Sequence, residues 1–128
     1  MSDNDRILTE VELELMTVIW NLGESTVKDV LSSLPENRDL AYTTVATVMK
    51  ILEKKKFLVC KKNSYAHIFS PLVSKRDYES TCIEHIVTNV FDGEPVALVQ
   101  RLLNSQKLQK KEIEAIEQAL KNLGAKRK

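Results

Sequence analysis

Three helix-start signals, each followed by an apolar stripe, constrain most strongly how this chain can fold. A serine or threonine three residues before an acid can form a capping box, in which both side chains satisfy free backbone amides at the first turn of a helix. The pattern occurs at Thr9 with Glu12, at Thr26 with Asp29, and at Ser74 with Asp77. Apolar residues then recur at intervals of about 3.6 positions, which is the period of a helix with one buried face. The sequence therefore predicts that a helix begins at each box.

The first two predicted helices lead into a third. Gly23 ends the first helix, Pro35 stops the second, and the third begins near residues 39–41 and runs to about Lys55. The three apolar stripes are Val11, Leu15, Met16, Ile19 and Leu22; Val27, Val30, Leu31 and Leu34; and Val45, Val48, Met49 and Leu52. Each stripe occupies one helical face, so we expect the three helices to pack around a shared core.

A β-hairpin is predicted directly after the third helix. Residues 57–62 and 66–70 contain Val59, Ile68 and Phe69, which favour strands, and they flank Asn63-Ser64, a usable turn. Pro71 closes the hairpin. Three helices followed by such a hairpin describe a winged helix-turn-helix, which we expect to occupy residues 1–72.

The remaining residues, 73–128, predict three more helices. The first ends at Gly93, the second starts at Pro95, a position where proline is tolerated, and the third spans residues 109–123 before a frayed tail. This segment is too short to bury its apolar stripes alone, so a second copy of the chain is the economical partner. The candidate dimerisation residues are Tyr78, Cys82, Ile83, Ile86, Val87, Val90, Ile113, Ile116 and Leu120. The expected fold class is mainly α with a small β-hairpin: a winged helix-turn-helix plus a C-terminal helical dimerisation region.

Positive charge is concentrated in one segment of the chain. Residues 41–76 carry eight bases and one acid, whereas residues 1–40 carry nine acids and three bases. Basic charge confined to one helix and the hairpin after it is the electrostatic pattern of a protein that binds phosphate groups. The outward face of the third helix is also small or hydrogen-bonding and lacks acids, which is unusual for a merely solvated face. The candidate residues for binding double-stranded DNA are Tyr42, Thr43, Thr44, Ala46, Thr47, Lys50, Lys54, Lys61, Lys62, Asn63 and Tyr65.

Several stretches resemble the penicillinase-repressor family, which includes the β-lactamase and methicillin-resistance repressors. Residues 8–20, LTEVELELMTVIW, are similar to its opening helix. Residues 40–49 and 52–55, LAYTTVATVM and LEKK, are similar to its recognition helix, and residues 69–71, FSP, to the end of its wing. The similarity covers nearly the whole chain.

The resemblance implies a homodimeric repressor that binds a palindromic operator until a signal inactivates it. In several members a membrane sensor-protease pathway leads to cleavage in the fifth helix, between Asn and Phe; the matching positions here are Arg101 and Leu102. Copper-responsive relatives carry Cys-x-Cys motifs at the C-terminus, and this chain ends without cysteine.

Two other functions remain open on the residues alone. Cys60 and Cys82, with His67 and His85, could form a redox or metal sensor acting on DNA binding, although no Cys-x-x-Cys pair is present. A winged helix can also serve as a protein-binding adaptor. No glycine-rich phosphate loop, HExxH or GxSxG motif occurs, so we expect no enzyme and no cofactor. The acidic N-terminus lacks the features of a signal peptide, and we expect a cytoplasmic protein.

Overall fold

The computed structural model describes residues 6–63, 65–105 and 107–127, which contain six α-helices and two strands. These are α1 (Glu10–Leu22), α2 (Val27–Ser33), α3 (Tyr42–Lys54), β1 (Leu58–Lys62), β2 (His67–Pro71), α4 (Lys75–Asn89), α5 (Pro95–Ser105) and α6 (Lys110–Arg127). The chain divides into two compact units, one ending at His85 and the other beginning at Ile86. The prediction of a mainly α fold with one β-hairpin is confirmed.

The predicted capping boxes start the first two helices. Thr9 Oγ1 accepts a hydrogen bond from the Glu12 amide at 3.3 Å, and Glu12 Oε1 accepts one from the Thr9 amide at 2.9 Å. Thr26 and Asp29 exchange the same two bonds, at 3.1 and 3.0 Å. At α4, Ser74 Oγ accepts from the Asp77 amide at 3.0 Å. These bonds satisfy amides that a helix leaves without intrahelical partners.

The core of the first unit lies between α1, α2, α3 and the hairpin. Its fully buried side chains include those of Leu15, Met16, Ile19, Val30, Val45, Met49, Leu52 and Leu58. The predicted stripe of α1 was wrong at its end, because Leu22 is 43% exposed. Trp20 packs half-buried against this core, and its Nε1 donates a hydrogen bond to the Val73 carbonyl at 2.9 Å.

The hairpin is antiparallel and is tied to the helices through its second strand. Its register runs from Leu58 opposite Pro71 to Lys62 opposite His67. The backbones of Ser25 and Phe69 exchange two hydrogen bonds, of 3.0 and 2.8 Å, which join the segment before α2 to β2. Ser64, half of the predicted turn, lies outside the described residues.

The first part of α4 belongs to the core of the first unit. Tyr78 is buried there, its hydroxyl accepts a hydrogen bond from the Leu8 amide at 2.9 Å, and its ring lies 5.8 Å from that of Trp20 and 5.9 Å from that of Phe57. The first unit therefore extends past residue 72 into α4.

The second unit has helices but no buried side chain among residues 86–105 and 107–126. Pro95 opens α5 as predicted. The predicted end of the last helix at Leu123 was wrong, because α6 continues through Gly124 to Arg127. Within the part of the chain that the structure describes, no helix has the length and hydropathy required to cross a membrane.

Candidate nucleic-acid interface

The outward face of α3 is the centre of the candidate interface. Val45, Met49 and Leu52 are buried on the opposite face, which orients the helix. Five of the predicted residues on α3 are exposed: Tyr42, Thr43, Thr44, Thr47 and Lys50. Ala46 is half-buried. The α3 N-cap, Ala41, forms no side-chain cap, and no acid lies in the first turn of the helix. The start of α3 is therefore favourable for a negatively charged group.

The hairpin carries the second group of predicted residues at its tip. Lys61, Lys62 and Asn63 are exposed, and Tyr65 is 98% exposed. Asn63 Oδ1 accepts hydrogen bonds from the amides of Tyr65 at 2.9 Å and Ala66 at 2.7 Å. The Asn63 side chain thus closes the turn, and the phenol of Tyr65 projects away from it. Asparagine bonding to nearby amides in this way is a common means of stabilising a turn.

A groove of about 590 Å³ joins α3 and the hairpin to the start of α2. Its lining residues are Thr26, Val27, Lys28, Tyr42, Ala46, Lys50, Tyr65, Ala66, His67 and Phe69. It brings together Tyr42, Lys50 and Tyr65, which the sequence had placed on two separate elements. Lys28 and His67 also line the groove but were not among the predicted residues. Lys28 lies in the first turn of α2, and in helix-turn-helix proteins the helix before the one in the major groove crosses the DNA backbone, which is the signal that could have identified it.

The three consecutive lysines at the end of α3 have different environments. Lys54 and Lys56 are exposed. Lys55 Nζ instead forms an ion pair with the carboxylate of Glu12, at 2.9 Å from Oε2 and 3.1 Å from Oε1. Burial alone raises the pKa of Glu12, but hydrogen bonds from Lys55 and Thr9 and the charge of Lys55 outweigh it, and the pKa lies below its usual value. Glu12 is therefore held as a carboxylate.

The two cysteines are free and lie on different elements, Cys60 on β1 and Cys82 on α4, both half-buried. Burial, with the nearby charge of Glu53, raises the pKa of Cys60, which lowers its thiolate fraction and its reactivity. Among the described residues, no three His, Cys, Asp or Glu side chains are grouped so that they could hold a metal ion.

Most of the predicted dimerisation residues are accessible in one chain. Ile83, Ile86, Val90, Ile113 and Leu120 are exposed, while Cys82, Val87 and Ile116 are half-buried. Tyr78 is the exception, because its burial in the first unit leaves little surface for a second chain. Both residues at the position of the predicted cleavage, Arg101 and Leu102, are exposed on α5.

Comparison with known proteins gives one consistent result. The family model described as penicillinase repressor matches residues 8–122. The methicillin resistance regulatory protein MecI of Mammaliicoccus sciuri is 24% identical over 113 residues, which cover 88% of this chain and 92% of that protein. The transcriptional regulator BlaI of Mycobacterium tuberculosis is 38% identical over 66 residues, covering 51% of this chain and 48% of that protein. The solution structure of the DNA-binding domain of the repressor BlaI aligns with a TM-score of 0.50 and 27% identity, covering 56% of this chain and 87% of that domain.

Proposed function

This chain belongs to the penicillinase repressor family and is a DNA-binding transcriptional repressor with a winged-helix fold, and we propose that it acts as a homodimer on a palindromic operator. Members of the family are transcriptional repressors, which are not enzymes. The observation that carries the proposed binding mode is the groove in which the exposed face of α3, the tip of the hairpin and the start of α2 meet. We propose that this surface lies against the DNA duplex.

In this binding mode α3 enters the major groove. Thr43 and Thr47 are exposed on it, and threonine can contact base edges or the methyl group of thymine. Lys50 can reach a guanine or a phosphate from the same face, and the lysines of the hairpin provide charge for the backbone on either side. The threonines would then supply sequence discrimination, while the hairpin lysines would supply affinity that does not depend on sequence.

The test separates these two roles. Duplexes bound by the wild-type chain are selected from a random pool, and binding of the selected duplex is compared with that of a shuffled duplex of the same composition. If Thr47 reads a base, Thr47→Ala should reduce discrimination between the two by roughly 1–3 kcal/mol. Lys61→Gln should weaken both duplexes about equally. Equal effects of both variants on discrimination would contradict this assignment, and failure of the wild type to select any sequence would contradict operator binding.

The proposed homodimer is supported by the absence of buried side chains in the described part of the second unit. The second unit exposes large apolar side chains: Val90 is 65% exposed, Val96 66% and Leu120 64%. Extensive exposed apolar surface usually marks a contact with another chain. A twofold dimer would also place two copies of α3 about one turn of DNA apart, as a palindromic operator requires.

We further propose that proteolysis at the bond between Arg101 and Leu102 relieves repression, through a membrane sensor-protease pathway. The bond lies within α5, so cleavage would divide that helix and separate α6 from the rest of the chain. A copy of the chain tagged at its C-terminus can be followed by immunoblotting after cells are exposed to a β-lactam. A fragment beginning at Leu102 that appears as repression ends would support the proposal. An intact chain during derepression would contradict it.

A further inference from the structure

Glu12 is the only charged side chain that is buried among residues 6–63, 65–105 and 107–126; it is 5% exposed. Its carboxylate has two functions at once. It accepts the hydrogen bond from the Thr9 amide that completes the capping box of α1, and it pairs with Lys55 Nζ through both oxygens. Because a charge removed from water is costly unless it is paired, these contacts require Lys55 to stay in place.

Lys55 lies where α3 ends and the chain turns towards the hairpin. It is the C-cap residue of α3, and the next residue, Lys56, has a φ of 69°, a left-handed conformation that is uncommon outside glycine. The Phe57 amide then donates a hydrogen bond to the Leu52 carbonyl at 2.9 Å, which completes the turn into β1. The ion pair therefore connects the first turn of α1 to the junction between α3 and β1.

We infer that Glu12 and Lys55 are positioning residues for operator recognition: their ion pair holds the end of α3 and the start of the hairpin at a set position against α1, and Lys55 contacts no phosphate. The inference rests on the proposed use of α3 and the hairpin in DNA binding. Sequence discrimination needs base contacts from α3 and backbone contacts from the hairpin at the same time. Loss of the ion pair loosens the junction between α3 and the hairpin. This lowers the affinity for the specific sequence more than the affinity for non-specific DNA.

The lysine run itself provides a matched control. Lys54 and Lys55 are neighbours with the same charge, but Lys54 is exposed and Lys55 is paired. A lysine that neutralises a phosphate contributes about −0.9 to the slope of log affinity against log salt. Lys54→Gln should therefore make the slope less steep, by about 0.9 per bound subunit. Lys55→Gln should leave the slope on the shuffled duplex unchanged and lower the preference for the selected duplex by about tenfold, in the range of a lost buried partner.

Glu12→Gln tests the other half of the pair. Glutamine can still complete a capping box, so this change removes the charge and retains the start of α1. It should lower the preference for the selected duplex as Lys55→Gln does, and the double variant should be no worse than either single one, since both remove the same interaction. Lys55→Arg keeps a cation at the site and should restore most of the preference.

All variants are measured as full-length chains, with circular dichroism to verify folding at the assay temperature. If Lys55→Gln does not fold, Glu12→Gln combined with Lys55→Met removes both charges together and takes its place. A slope change for Lys55→Gln as large as that for Lys54→Gln would overturn the inference, because Lys55 would then be a phosphate contact. An unchanged preference in Lys55→Gln and Glu12→Gln would overturn it as well. If the wild type binds no duplex in a salt-dependent way, the proposed binding mode itself fails, which is a separate result.

Discussion

Replacing Lys62 with glutamine should reduce the salt dependence of DNA binding by a calculable amount. Lys62 is exposed at the end of β1, opposite His67 in the hairpin, and is one of the lysines that we propose lie against the DNA backbone. Each phosphate neutralised by a lysine contributes about −0.9 to the slope of log affinity against log salt. In a dimer the substitution removes two such contacts, so the slope should become less steep by about 1.8.

This change in slope corresponds to a large and salt-dependent loss of affinity. When salt is lowered from 1 M to 0.1 M, the affinity of the variant should rise about 60-fold less than that of the wild type, and this deficit should be the same for operator and shuffled DNA. Three or four phosphate contacts per subunit predict a wild-type slope on the order of −6. Fluorescence anisotropy with labelled duplexes across this salt range measures the wild-type slope, the change in slope and the difference in affinity.

Lys121→Gln is the matched control, because Lys121 is exposed on α6, in the other compact unit. It should leave the slope as it is in the wild type. A slope for Lys62→Gln equal to that of the wild type would refute the reasoning, since Lys62 would then neutralise no phosphate. A change of about 0.9 would mean that the hairpin of one subunit alone meets the backbone.

Three further predictions concern the dimer, the core and the buried carboxylate. Ile86→Lys should shift the chain towards monomer in sedimentation and sharply lower operator affinity, because a lysine in a dry interface costs several kcal/mol, whereas Glu84→Lys at an exposed position of α4 should remain dimeric. Met49→Ala, at a position on the buried face of α3 that is 0% exposed, should lower the free energy of unfolding by about 2–5 kcal/mol in urea titrations, whereas Thr47→Ala at an exposed position should change it little. Because the pKa of Glu12 is lowered by folding, its ion pair stabilises the protein above the ordinary pKa of glutamate, and this stabilisation is lost as the pH falls through the lower folded-state pKa. Thermal unfolding of Glu12→Gln should accordingly depend less on pH in the acidic range than that of the wild type, and equal dependence would contradict the role of the pair.

The helix starts were predictable because the signals that determine them are local. A capping box needs only two side chains three residues apart, and those at Thr9 and Thr26 form both of their expected hydrogen bonds. The same holds for the two faces of α3, since helical periodicity alone separates Met49 from Thr47. The predicted end of α6 was wrong because it also relied on a local signal. Glycine often ends a helix, but a single glycine such as Gly124 can remain within one at a modest cost.

The sequence by itself determined the order of the elements, the face that α3 leaves exposed and the excess of positive charge around it. These properties depend on spacing and composition along a short stretch of chain. Only the tertiary structure decided which residues distant in sequence come together: Lys55 pairs with Glu12, Tyr78 joins the first core, and Lys28 and His67 line the groove. In the sequence Lys54, Lys55 and Lys56 are equivalent. Lys55 differs from its two neighbours because it pairs with the carboxylate of Glu12, which is 43 residues away. That pairing arises because α1 packs beside α3, and packing between helices is set by the whole core rather than by any local pattern.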